Sequence, residues 1–111
     1  MNFADRAAHN EEVFRTINDR IEEGAKKHGV QEALPFHCEC GIETCVEKVQ
    51  LPPAEYDRIA ADMARFVVVP GHETPNVEVV VERHDSYVVV EKTGEALAEI
   101  KRDHPRLRHR D

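Results

Sequence analysis

The chain has 111 residues, 41% of them hydrophobic, with four Phe, two Tyr and no Trp. That composition supports one domain with a modest core, has no room for a second, and favours some additional cross-link. Twenty-two acids against 15 bases leave a formal net charge of −7, and no apolar run approaches the roughly 20 residues of a membrane helix. The N-terminus alternates charges from Asp5 to Lys27 in place of a signal peptide's apolar stretch, so the expectation is a soluble, cytoplasmic protein.

Residues 3–29 read as a long amphipathic helix. Phe3, Ala7, Asn10, Phe14, Ile17, Ile21, Gly24 and His28 alternate steps of four and three, the spacing of one helical face. Asn2 is placed to cap the start, with Asp5 in a box-like position, and Gly29 fits the stop. The stripe is weak for a coiled coil and favours docking on the protein's own sheet, although Asn10 at a seam position leaves a dimer open. Residues 34–45 hold every cysteine. Val46–Leu51 alternates as a short half-buried strand, with Val49 and Leu51 on one side. Pro52 and Pro53 open a helix over 53–64 with a face of Tyr56, Ile59, Ala60 and Met63.

Phe66–Val69 is a β-branched run closed by Pro70-Gly71. Residues 76–92 form a hairpin, in which Val77, Val79 and Val81 alternate with Glu78, Val80 and Glu82 and the sequence RHDS makes the turn. A last helix starts near Gly94 with Thr93 as cap, carries Ala96, Leu97 and Ile100 on its apolar face, and stops before Pro105. The order α–β–β–α–β–β–β–α predicts an α+β fold with a small, mostly antiparallel sheet, a single domain over 1–100 and a separate tail. That tail, 101–111, carries Lys101, Arg102, Arg106, Arg108 and Arg110; without it the body keeps 10 bases against 20 acids. A body of that sign repels a phosphate backbone. Nucleic acid is therefore expected to meet this chain only through the tail, which terminal charge blocks of this kind usually leave solvated and disordered.

Cys38, Cys40 and Cys45 lie within eight residues. Three is odd, so a closed disulfide framework cannot use them all, and a reducing compartment keeps them as thiols. A metal site is the chemistry that fits. Zinc holds thiolates about 2.3 Å away in a tetrahedron, so two ligand sulfurs stand roughly 3.8 Å apart. Residues i and i+2 of a straight strand stand roughly 6.5–7 Å apart. Cys38 and Cys40 can therefore share an ion only if the chain curls, and Gly41 is placed to allow it. The result is a loop resembling a zinc knuckle, with Cys45 brought round by the sequence IET. For the fourth ligand His37 is nearest but points away in an extended segment. His72, presented by a Pro-Gly turn, is the better candidate, with His37, Glu39 or water as the remaining alternatives. The expected site is Cys38, Cys40, Cys45 and His72 holding Zn2+.

Other chemistries find little support. His72-Glu73 lacks the second histidine of an H-E-x-x-H helix, and Pro75 would break that helix. The zinc deaminase pattern is missing too. No Walker loop, dinucleotide fingerprint or nucleophile elbow is present, which points away from an enzyme. A [2Fe–2S] cluster held by three Cys and one His, as in CDGSH-type proteins, shares the ligand types but keeps its ligands in one contiguous loop.

The segments FRTINDRIEE, FHCECGIETC, VQLPPAEYDRI, RFVVVPGHETP and VEVVVERHDSYVVVEKTGEA resemble a family of small uncharacterised bacterial proteins, familiar from actinobacteria. The likeness covers roughly residues 14–96. It implies a C-x-C-x4-C run with a downstream Pro-Gly-His, which maps onto Cys38, Cys40, Cys45 and His72, and it implies no activity. The functional expectation is a protein-binding or regulatory module with a structural zinc, meeting a protein partner or itself through the N-terminal helix. A redox or metal sensor using the same thiolates, or a [2Fe–2S] protein, is the alternative.

Overall fold

The computed structural model describes residues 3–103, with side chains described over 9–98. Eight elements follow in the expected order: α1 (Phe3–Lys27), β1 (Leu34–His37), β2 (Lys48–Leu51), α2 (Pro53–Ala60), β3 (Arg65–Val68), β4 (Glu78–Arg83), β5 (Val88–Lys92) and α3 (Gly94–Asp103). The fold is α+β, and every strand pair is antiparallel. The strands divide into two small sheets, β1–β2 and β3–β5–β4. Asn2 and the tail from 104 onward fall outside what is described, as do the side chains of Phe3, Ala7 and Ile100.

The β1–β2 hairpin runs in register from Leu34 opposite Leu51 to His37 opposite Lys48. One further bond, from the Cys38 N–H to the Glu47 carbonyl at 3.0 Å, keeps the two chains side by side up to the cysteine loop. Val49 and Leu51 turn inward and Lys48 and Gln50 outward, as alternation demands. Helix α2 begins at Pro53, with the Pro52 carbonyl accepting the N–H groups of Glu55 and Tyr56. It ends at Ala60, short of the expected 64. The Asp62 carboxylate accepts the Ala64 N–H at 2.9 Å and bends the chain into β3, a local side-chain bond that competes with helix continuation.

Strand β5 is central and its register with β3 is unbroken from Arg65 opposite Glu91 to Val68 opposite Val88. Both faces of the β3–β5 pair are covered. Val67 and Val89 join Phe36, Val49, Leu51, Tyr56, Ile59 and Tyr87 in one core. Phe66, Val68, Val88 and Val90 pack with the three cysteines in a second. A bulge between Val80 and Glu82 interrupts β4. Its inward positions are Glu78 and Val80, whereas Val79 and Val81 face out.

Helix α1 departs furthest from the expected pattern. Its buried stripe is Glu11, Arg15, Asn18, Glu22 and Ala25, about one residue round from the apolar stripe; Asn10, Phe14 and Ile21 lie half-buried at its margin, while Val13 (40%) and Ile17 (42%) are exposed. The reason lies in what the helix meets. Arg15 stacks its guanidinium 3.6 Å from the Phe66 ring centroid and donates to the Met63 carbonyl at 2.8 Å. Lys92, buried at the end of β5, pairs with both Glu11 and Glu78. Buried charges are tolerated when paired and hydrogen-bonded, and here the opposing partners sit on distant strands. The helix thus docks on its own protein, by a polar face.

Candidate metal centre

The cysteine loop leaves β1 with its residues alternating. Cys38 and Cys40 turn to one side and Glu39 to the other, and all three are buried. Glu39 fixes this arrangement. Its N–H donates to the Val67 carbonyl at 2.8 Å, and its carboxylate Oε1 accepts the Val67 N–H at 3.0 Å. The loop therefore pairs with the outer edge of β3, a carboxylate oxygen taking the place of a backbone carbonyl. Oε2 accepts the Tyr56 hydroxyl at 2.7 Å and the Asn18 amide at 2.9 Å. Beyond Cys40, Gly41 takes φ +79, the left-handed conformation that glycine reaches without strain. The Cys45 N–H then closes a turn onto the Ile42 carbonyl at 3.0 Å. These two reversals curl the loop so that Cys38, Cys40 and Cys45 face a common point.

His72 reaches the same point from the other sheet. After β3 the chain turns at Gly71, φ +96, and the His72 N–H bonds the Val69 carbonyl at 2.9 Å. Glu73 serves this turn: its own amide and the Gly71 N–H hold its carboxylate below the usual range, the latter donating to Oε1 at 2.6 Å. His72 Nδ1 lies 3.6 Å from Cys38 Sγ and 3.7 Å from Cys45 Sγ. The donor atoms of Cys38, Cys40, Cys45 and His72 all lie within 4.8 Å of one another. Tetrahedral bond lengths near 2.3 Å for sulfur and 2.0–2.1 Å for nitrogen put a ligand sulfur and nitrogen about 3.5 Å apart. The four side chains are positioned to hold one metal ion.

Each sulfur also receives a backbone donor. The Val69 N–H reaches Cys38 Sγ at 3.2 Å, Ile42 supplies one to Cys40 and Glu47 one to Cys45. Such bonds stabilise thiolate over thiol. Among themselves the thiols share charge unevenly. A hydrogen bond from Cys38 draws Cys40 down to about 4 and pushes Cys38 up, while burial raises Cys45. A bound cation would supply the positive charge that favours the thiolate form of all three.

Comparison with family models, with curated proteins and with solved structures gives no match, so the centre is understood from its own geometry. The alternatives for the fourth ligand are engaged elsewhere. His37 stacks on Phe14 with centroids 4.0 Å apart and directs Nδ1 at the Cys38 carbonyl, 2.6 Å away. Glu39 faces the interior, as its bonds to Asn18, Tyr56 and Val67 require. The spacing of the cysteines pointed to the ligands but not to this second layer of Glu39, Tyr56 and Asn18, nor to Asn10, which donates to the Gly41 carbonyl at 3.0 Å. One signal was available: an acid between two inward cysteines must point the opposite way, into a core where it needs donors.

Proposed function

We propose that this chain is a small zinc-binding module, in which Cys38, Cys40, Cys45 and His72 hold one Zn2+ that ties the β1–β2 hairpin to the three-stranded sheet. The observation that carries this reading is the pair of sulfur–nitrogen separations, 3.6 and 3.7 Å, against about 3.5 Å in a tetrahedral zinc site. Four protein donors close the coordination sphere, the pattern of structural sites; catalytic zinc keeps a position for water or substrate. Three thiolates and one imidazole suit zinc in their softness and geometry. A mutual spread of 4.8 Å also suits a single ion better than a [2Fe–2S] core, whose ligands divide between two irons. The Pro-Gly-His likeness to the actinobacterial family agrees with this ligand set.

The role that follows is a protein-binding or regulatory one in a reducing, cytoplasmic setting. Helix α1 presents His9, Val13, Thr16, Ile17 and Arg20 on its outer side, a surface suited to a protein partner or a second copy. No described helix is long and apolar enough to cross a membrane. Elemental analysis of the untagged protein together with its visible spectrum tests the reading. A colourless protein with one zinc per chain supports it; a coloured iron protein or a folded metal-free one overturns it. Sensing by the same sulfurs is separated by dilute peroxide. In a sensor two thiolates give two electrons to the peroxide, which leaves as water, and one disulfide, one thiol and free zinc remain; a structural zinc stays bound.

A further inference from the structure

Four of the bonds that attach α1 to the body end on residues 37–41, the segment that carries Cys38 and Cys40. Asn18 grips His37 in both directions: its Oδ1 accepts the His37 N–H and its Nδ2 donates to the His37 carbonyl, each at 2.8 Å. The same amide reaches Glu39 Oε2 at 2.9 Å. Two turns earlier on the helix, Asn10 donates to the Gly41 carbonyl at 3.0 Å. The two asparagines bracket the curl that brings two of the three sulfurs together. The rest of the buried stripe is Glu11, Arg15, Glu22 and Ala25, with Ile21 packed on the core and Phe14 stacked on His37 at its margin, so directional bonds supply a large part of the attachment. Bonds of that kind are lost when their acceptors move, whereas apolar contact tolerates small shifts.

Resting on the zinc reading above, we propose that metal occupancy governs the docking of α1: the loaded ion fixes residues 37–41 in the shape that Asn10 and Asn18 recognise, and its loss releases the helix from the body. The outer surface of α1 would then be presented on a fixed helix in the loaded protein and on a detached one in the stripped protein. Linkage makes the coupling reciprocal. Weakening the asparagine contacts must therefore weaken zinc binding, although neither residue is a ligand.

Hydrogen exchange of the full chain, zinc-loaded and chelator-stripped, tests this. The expected result is that amides of α1 across residues 10–25 exchange at least tenfold faster after stripping, while those of β3, β4 and β5 keep their protection. Equal protection of α1 in both states overturns the proposal. So does uniform loss over the whole chain, because zinc would then hold the entire fold and not the helix. The reciprocal arm measures zinc affinity by chelator competition in Asn18→Ala and in the milder Asn10→Ala. Both are expected to bind more weakly, Asn18→Ala by about ten- to hundredfold as for other outer partners of metal ligands, with Thr16→Ala on the exposed side unchanged. Unchanged affinity in both asparagine variants refutes the coupling. A chain that takes up one zinc without affecting α1 loses only this proposal, whereas a chain that takes up none loses the zinc reading and the coupling with it.

Discussion

The Tyr56 hydroxyl donates to Glu39 Oε2 at 2.7 Å, reaching from α2 to the back of a dipeptide unit whose neighbouring cysteines face the metal centre. Burial pushes the tyrosine well above its ordinary pKa, so it stays an O–H donor throughout the range in which the protein is handled. Tyr56→Phe removes one donor from a fully buried carboxylate. A hydrogen bond to a charged group is worth about 1.5–3 kcal/mol, and a loss of that size is expected in denaturant unfolding of the loaded protein. A change below about 0.5 kcal/mol would show that Glu39 does not depend on this bond.

A second expectation concerns pH. Burial raises the Glu11 carboxyl to about 7, against the pull of Lys92. The folded state thus holds this proton more tightly than the unfolded chain, whose carboxyl titrates near its ordinary value of 4.5. The sign follows from linkage: the group's contribution to stability is fully present below about 4.5 and is lost as pH rises through about 7. Glu11→Gln removes the titration. Relative to that variant, the wild type is expected to gain stability from pH 8 down to pH 5, by up to about 1.4 kcal/mol per pH unit below 7. Comparing the two proteins at each pH cancels protonation of the metal ligands. A difference that stays flat with pH would contradict the account.

The polar docking of α1 inverts the usual ranking of helix substitutions. Arg15 is fully buried, stacked on Phe66 and bonded to Met63, whereas Ile17 is 42% exposed. Arg15→Ala should cost about 3 kcal/mol or more, since it opens a cavity and breaks a buried ionic cluster. Ile17→Asp should change stability by only about 0.5 kcal/mol. If protomers associate through the outer side of α1, the same Ile17→Asp returns them to monomers in sedimentation velocity. Equal losses for the two substitutions would place the helix face wrongly.

These cases show what could be read from the chain alone. Short-range patterns carried most of the fold: Pro52-Pro53 marked the start of α2, the valine runs marked β3, β4 and β5, and the order of elements matches throughout. The metal centre was legible because three of its donors are close in sequence and the fourth sits on a Pro-Gly turn. The face of α1 was not. Hydrophobic periodicity assumes that apolar residues go inward, but the partners that draw Glu11, Arg15 and Asn18 inward are Lys92, Phe66 and Glu39, each distant in the chain. A buried polar network is set by tertiary contacts that no local window contains. The alternation in β4 likewise left its inward face open: Glu78 takes the inward place because Lys92 is there to meet it.

Removing the fourth ligand should separate affinity from folding. His72→Ala leaves three thiolates and an open position, so zinc is expected to bind more weakly and to accept a water or an added imidazole. Chelator competition in the presence and absence of imidazole reads both effects. Affinity equal to that of the wild type would remove His72 from the centre.

Cobalt(II) substitution tests the central claim most directly. A cobalt-loaded chain is expected to show the intense visible bands of a tetrahedral ion with sulfur-to-metal charge transfer at higher energy, at one equivalent, and to lose them stoichiometrically when zinc is added. A weak, pale octahedral spectrum, or bands that persist unchanged in the combined Cys38→Ser and Cys45→Ser variant, would show that these four side chains do not share an ion.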